Sequence, residues 1–143
     1  LDVNSEGLLL LTTDGKVSEY VRGRKVEKEY YVQVDGCIGQ QEINRLIKGV
    51  EIGFDGKKYI TKSCKSSLIS EPSFKDRTQK IRDERHGPTS WITITLTEGK
   101  FRQVRKMTAA VGFPTLRLIR VRVDSILLEG LKLGEVKEVE SFF

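Results

Sequence analysis

Apolar and polar positions alternate along most of this chain, and alternation is the mark of a strand with one buried face. Residues 91–97 (WITITLT) alternate strictly. Residues 28–35 (KEYYVQVD) are rich in β-branched and aromatic side chains, with Tyr30, Val32 and Val34 on one face and Tyr31 and Gln33 on the other. Residues 116–123 (LRLIRVRV) read as a further strand, and weaker strand patterns fall at 50–52, 58–60, 63–70 and 136–139, with Asp55-Gly56 as a hairpin signal. The unbroken run 8–12 (LLLLT) predicts a strand buried on both faces.

Helical spacing is rarer. Ile43, Leu46 and Ile47 predict a helix over 40–48, with Gly49 as its C-terminal stop. A short helix capped by Asp14 should run to about Val21. A third should span 101–111, with Phe101, Val104, Thr108 and Val111 on its inner face, Arg102, Arg105 and Lys106 sharing another, and Gly112 ending it. Residues 71–88 are polar, contain two prolines and the single histidine, His86, and read as a long surface loop. Strands outnumber helices, so the class is α+β: a mixed, mainly antiparallel sheet with a few flanking helices.

Composition narrows the setting. With 143 residues, 38% hydrophobic and 31% charged, the chain suits one folded domain and not a disordered one. Its longest apolar run, residues 8–11, is far short of the ~20 needed to span a membrane, and no basic-then-apolar leader opens it. Cys37 and Cys64 form no CxxC pair, so neither a metal site nor a disulfide framework is expected, and a cytoplasmic location is.

Charge is unevenly placed. The net charge is +5, yet between residues 99 and 122 there are Lys100, Arg102, Arg105, Lys106, Arg117, Arg120 and Arg122 and no acidic residue. The remainder of the chain is therefore slightly negative. A concentrated basic stripe is the footprint of a polyanion such as RNA or DNA, or else a solvated helix face followed by an exposed strand face.

Composition and spacing do not name a reaction, but particular residues carry a resemblance. Residues 1–15 (LDVNSEGLLLLTTDG) are similar to the signature of the A-type ribosomal small-subunit pseudouridine synthases, whose nucleophilic aspartate falls on Asp2. Lys28-Glu29-Tyr30, followed by Val32 and Val34, resembles the second motif of that family, whose tyrosine falls on Tyr30. Residues 98–107 (EGKFRQVRKM) resemble the third, whose arginine falls on Arg105. Residues 87–91 and 108–120 resemble the large-subunit pseudouridine synthase E group more narrowly.

The resemblance implies a pseudouridine synthase-like catalytic domain. It would isomerise a specific uridine in ribosomal RNA, 23S of the large subunit, by flipping the base out of its stack. Asp2 would be the nucleophile, whether toward the sugar, the base or the proton on C2′. Arg105 would pair with it, Tyr30 would stack on the uracil, and Val104 would line the base pocket. Lys100, Arg102, Lys106, Arg117 and Arg120 would hold the RNA backbone. No metal or cofactor is implied, and a monomer is the plain expectation. Trp91 is expected in the core. The family's domain begins upstream of the signature with a further strand, so residues 1–143 are expected to be a single catalytic domain lacking that strand. The competing reading is a non-catalytic RNA-binding module, a truncated synthase that keeps the basic stripe.

Overall fold

A computed structural model describes residues 4–11, 15–22, 26–73 and 87–129. Strand β2 (Lys28–Asp35) lies at the centre because both of its edges find long partners. On one side runs β6 (Thr89–Leu96), antiparallel, with Lys28 opposite Leu96 and Asp35 opposite Thr89. On the other runs β7 (Thr115–Val123), also antiparallel. Beyond β6 lies β5 (Lys65–Ile69); beyond β7 lies the two-residue β1 (Glu6–Gly7), the sheet's parallel member, and β8 (Ile126–Leu127) folds back on β7. A separate hairpin joins β3 (Glu51–Phe54) to β4 (Lys57–Ile60) through Asp55-Gly56, both at positive φ. The helices among the described residues are α1 (Gly15–Arg22), α2 (Gln40–Lys48) and α3 (Gln103–Ala110). The expected α+β class, with a mixed and mainly antiparallel sheet, is the observed one.

The period-two pattern decides which side chains enter the core. Val32 and Val34 of β2, Ile92, Ile94 and Leu96 of β6 and Leu118 of β7 pack with Ile43 and Leu46 of α2 and with Val104, Met107 and Val111 around α3. Ile43, Leu46 and Met107 have no exposed surface, so truncating any of them to alanine should cost about 2–5 kcal/mol. Trp91 is 5% exposed, a core residue as expected. A smaller cluster of Leu8, Val26 and Val123 gathers Leu10, Val21, Ile126 and Leu128 around it.

Three expectations need correction. Of the run 8–12, the described residues 8–11 form no strand: pairing ends at Gly7, Leu8 is buried, and Leu9 and Leu11 are 58% and 72% exposed. A run of like residues has no period, so it could not show that the chain leaves the sheet here with only alternate leucines turned inward. The third helix begins at Gln103, not Phe101, because Arg102 takes a left-handed conformation (φ 52°) that no α-helix continues through. Phe101 is accordingly 69% exposed and not on the inner face, where Gln103 and Met107 join Val104 and Thr108. Strand β8 is too short to carry a pattern and was not anticipated. The Asp14 cap, His86, most of the 71–88 loop and the strand at 136–139 lie outside the described residues.

Candidate functional site

Alternation along β2 also builds a cleft. Val26, Lys28, Tyr30, Val32 and Val34 follow one another on a single face. Val26 belongs to the smaller cluster, Val32 and Val34 to the main core, and Lys28 and Tyr30, between them, line a cleft of about 410 Å³. That volume is in the range of small-ligand sites. Leu96 of β6 and Leu118 and Arg120 of β7 continue its floor, Val21 of α1 and Ser5 close one side, and the segment 98–104 forms the other.

A bulge aims the arginines. Glu29 pairs with Arg122 but Tyr30 pairs with Arg120, so β7 carries one extra residue, Val121. Strict alternation would put Arg120 and Arg122 on the same face; the bulge parts them. Arg120 lines the cleft, opposite Tyr30, with its Nε donating to the Leu8 carbonyl at 2.8 Å. Arg122 turns to Glu29, at 2.9 Å, and to Glu27, at 3.4 Å. Lys28 is only 5% exposed. Burial, and then the positive charge of Arg120, pull its ammonium below the usual lysine range. The cleft thus has a strongly cationic floor beside an aromatic one.

The 98–104 wall is held by one carboxylate. Glu98 is 6% exposed. Its Oε1 accepts the Tyr59 hydroxyl of β4, and its Oε2 accepts the Lys62 backbone N–H at 2.8 Å and Gln103 Nε2 at 2.9 Å. Burial alone would raise its pKa; those hydrogen bonds, with the charge of Lys100, outweigh burial and hold it below the ordinary value. Gln103 Oε1 in turn accepts the Lys100 N–H at 3.0 Å, closing the turn on itself. Lys100 Nζ sits 5.1 and 5.2 Å from the Phe54 and Tyr59 ring centroids, which ties the β3–β4 hairpin to the same wall.

The structure brings together Tyr30, Lys100, Arg102, Val104 and Arg120, all lining the cleft. Val104 is also core, at 4% exposure. Arg105 reaches across to Ser5, with Nη2 3.4 Å from Oγ. Lys106 lies over the Phe101 ring, 5.4 Å from its centroid. Arg117 engages Glu6 through two parallel bonds of 2.9 Å and is tied into the β1–β7 junction. Asp2 lies outside the described residues. Sequence reasoning missed Lys28, Glu98 and Gln103. Lys28 was legible, being in phase with Val32 and Val34; Glu98 and Gln103 fall within the motif at 98–107, but nothing in its spacing shows their partners. Among the described residues no group of three or more His, Cys, Asp or Glu stands close enough to hold a metal, and no helix is long and apolar enough to cross a membrane.

Fold and site together define a mixed-sheet protein with a cationic, aromatic-floored cleft beside a basic helix. Comparison with known proteins supplies the family. Residues 1–110 match the family model for RNA pseudouridylate synthase, and the chain belongs to that family. It is 42% identical over 142 residues to a ribosomal large subunit pseudouridine synthase E of Vibrio parahaemolyticus, covering 98% of this chain and 58% of that protein. It is 38% identical over 137 residues to a protein of the same name from Xanthomonas campestris, covering 94% and 72%. A crystal structure of a pseudouridylate synthase superposes with a TM-score of 0.66 at 29% identity, covering 90% of this chain and 48% of that one. The chain therefore spans a little over half the length of the Vibrio relative.

Proposed function

We propose that this protein isomerises a uridine of ribosomal RNA, in the 23S RNA of the large subunit, to pseudouridine. The N1–C1′ bond breaks, the uracil turns within the cleft, and a C5–C1′ bond forms; the proton lost from C5 is balanced by the one gained at N1. Asp2 is the nucleophile, splitting one difficult exchange into two easier steps. Arg105 holds that carboxylate ionised and oriented. Its contact with Ser5, three positions after Asp2 in the chain, supports this role. Tyr30 stacks on the flipped uracil, with Val104 as an apolar edge of the pocket. Lys100, Arg102, Lys106 and Arg120 compensate the cost of unstacking by contacts to phosphates, while Arg117 acts through the strand junction it braces. The protein does this as one catalytic domain, a monomer in the bacterial cytoplasm, with no metal or cofactor.

The observation that carries the reading is the cleft itself: an aromatic floor at Tyr30, cations on several sides, and Arg105 in contact with Ser5. The test is pseudouridine mapping of unmodified bacterial 23S RNA after incubation with the chain and with Asp2→Ala. A new site that disappears in the variant is expected. No new site, with salt-sensitive RNA binding equal in both proteins, would make this chain a non-catalytic RNA-binding module.

A further inference from the structure

Phe101 stands at the rim of the cleft with 69% of its surface exposed. Single exposed apolar side chains are common and mean little alone. This one is held where it is. The left-handed Arg102 follows it, and the turn that contains it is closed by the Gln103 side chain on the Lys100 N–H and by the Gln103 N–H on the Lys100 carbonyl, each at 3.0 Å. The ring therefore stands off the helix that it would otherwise help to bury. The Lys106 ammonium lies over it, 5.4 Å from the centroid. Its other neighbours in the chain, Lys100 and Arg102, are cations on the cleft wall. A presented π-face among cations is how proteins bind single-stranded nucleic acid: phosphates track the charge and bases stack on the ring.

We propose that Phe101 is a stacking platform for a second nucleobase, the neighbour of the uridine that enters the cleft. The inference rests on the cleft being a uridine site and deepens it by naming the substrate class. The base beside the target must be unpaired, as in a loop or bulge, since a base locked in a duplex has no free face to offer. Phe101 and Tyr30 then hold two bases in one cleft, with the connecting phosphates lying along the cations of the wall.

The test uses the full chain, octauridylate, and an abasic octamer with the same phosphates and no bases. Phe101→Ala should bind octauridylate roughly 5- to 150-fold more weakly and the abasic octamer within about twofold of the unaltered protein. Phe101→Tyr should retain octauridylate affinity, whereas Phe101→Leu should lose it. Equal losses on both oligomers, or none on either, overturn the inference. Pseudouridine formation in unmodified 23S RNA is read in parallel. A base-dependent loss without any product leaves the stacking site standing and removes the catalytic reading. Product without a base-dependent loss does the reverse.

Discussion

Removing the Glu98 carboxylate should loosen the cleft wall and the β3–β4 hairpin together. In Glu98→Ala the Tyr59 hydroxyl, the Lys62 N–H and Gln103 Nε2 all lose their acceptor. A hydrogen bond to a charged group contributes about 1.5–3 kcal/mol. Lys62 is exposed and Tyr59 partly so, and water can replace the acceptor there in part; Gln103 is 3% exposed and keeps the Met107 sulfur, a weak acceptor at 3.6 Å. The loss should total about 3–5 kcal/mol, a large share of the ~5–15 kcal/mol of a typical domain. That corresponds to a fall in Tm of roughly 10 °C.

Glu98→Gln is the control that isolates geometry from charge. Its amide oxygen can keep Lys62 and Gln103 while its NH2 donates to the Tyr59 oxygen, so the cost should be about 1 kcal/mol. Acid stability should separate the two proteins further. The folded Glu98 pKa lies below the ordinary 4.5, so its contribution is full above that value and is lost as pH falls through the folded one. The Glu98→Gln protein should show a shallower acid limb below pH 4.5. Urea melts at pH 7 and at pH 3–4 measure both effects. If Glu98→Ala costs under about 1 kcal/mol, or if Glu98→Gln costs as much as Glu98→Ala, the wall is not held by this carboxylate.

Gly7→Ala should destabilise the protein by more than about 2 kcal/mol in the same urea assay. Gly7 has φ 105°, and a Cβ there would stand 2.2 Å from the Arg120 carbonyl oxygen; an unchanged midpoint would mean that β1 does not pair with β7. Arg105→Lys keeps the charge but not the planar fork, so kcat for pseudouridine formation should fall about 100-fold while RNA affinity holds within about threefold; parallel losses in both would place Arg105 on phosphate instead. Iodoacetamide at pH 8 should label exposed Cys37 and spare Cys64, whose thiol donates to the Leu46 carbonyl at 3.2 Å and is pushed by burial to about 11. Only about a thousandth of the Cys64 thiol is thiolate at that pH, so mass spectrometry should find one adduct on the native chain and two in urea, and rapid double labelling of the native chain would refute the burial.

Much of the architecture was legible because it is local. Lys28–Asp35 and Gln40–Lys48 lie where period two and period 3.6 put them, and Gly49 ends its helix at φ 116° with its N–H on the Arg45 carbonyl. The Asp55-Gly56 turn is a hairpin because both residues take the positive φ that a two-residue turn requires. The candidate site was legible in its residue types, Tyr30, Val104 and the basic stripe, since charge and aromaticity are properties of single positions.

The tertiary structure alone decided how these positions meet. Whether Arg120 or Arg122 faces the cleft depends on one extra residue in β7, and a register shift is settled by the partner strand, not by the strand's own pattern. That Glu98 is a buried hub and not a surface turn depends on Tyr59 and Lys62, 39 and 36 positions away in sequence. Lys28 is desolvated because β6 and β7 flank it on both sides, with Leu96 and Val123 opposite it. Periodicity reports which face of an element is apolar; it carries no information on which distant backbone or side chain will close over a polar group. The sequence by itself therefore determined the elements and the chemistry available, and long-range packing determined which of those groups share one cleft.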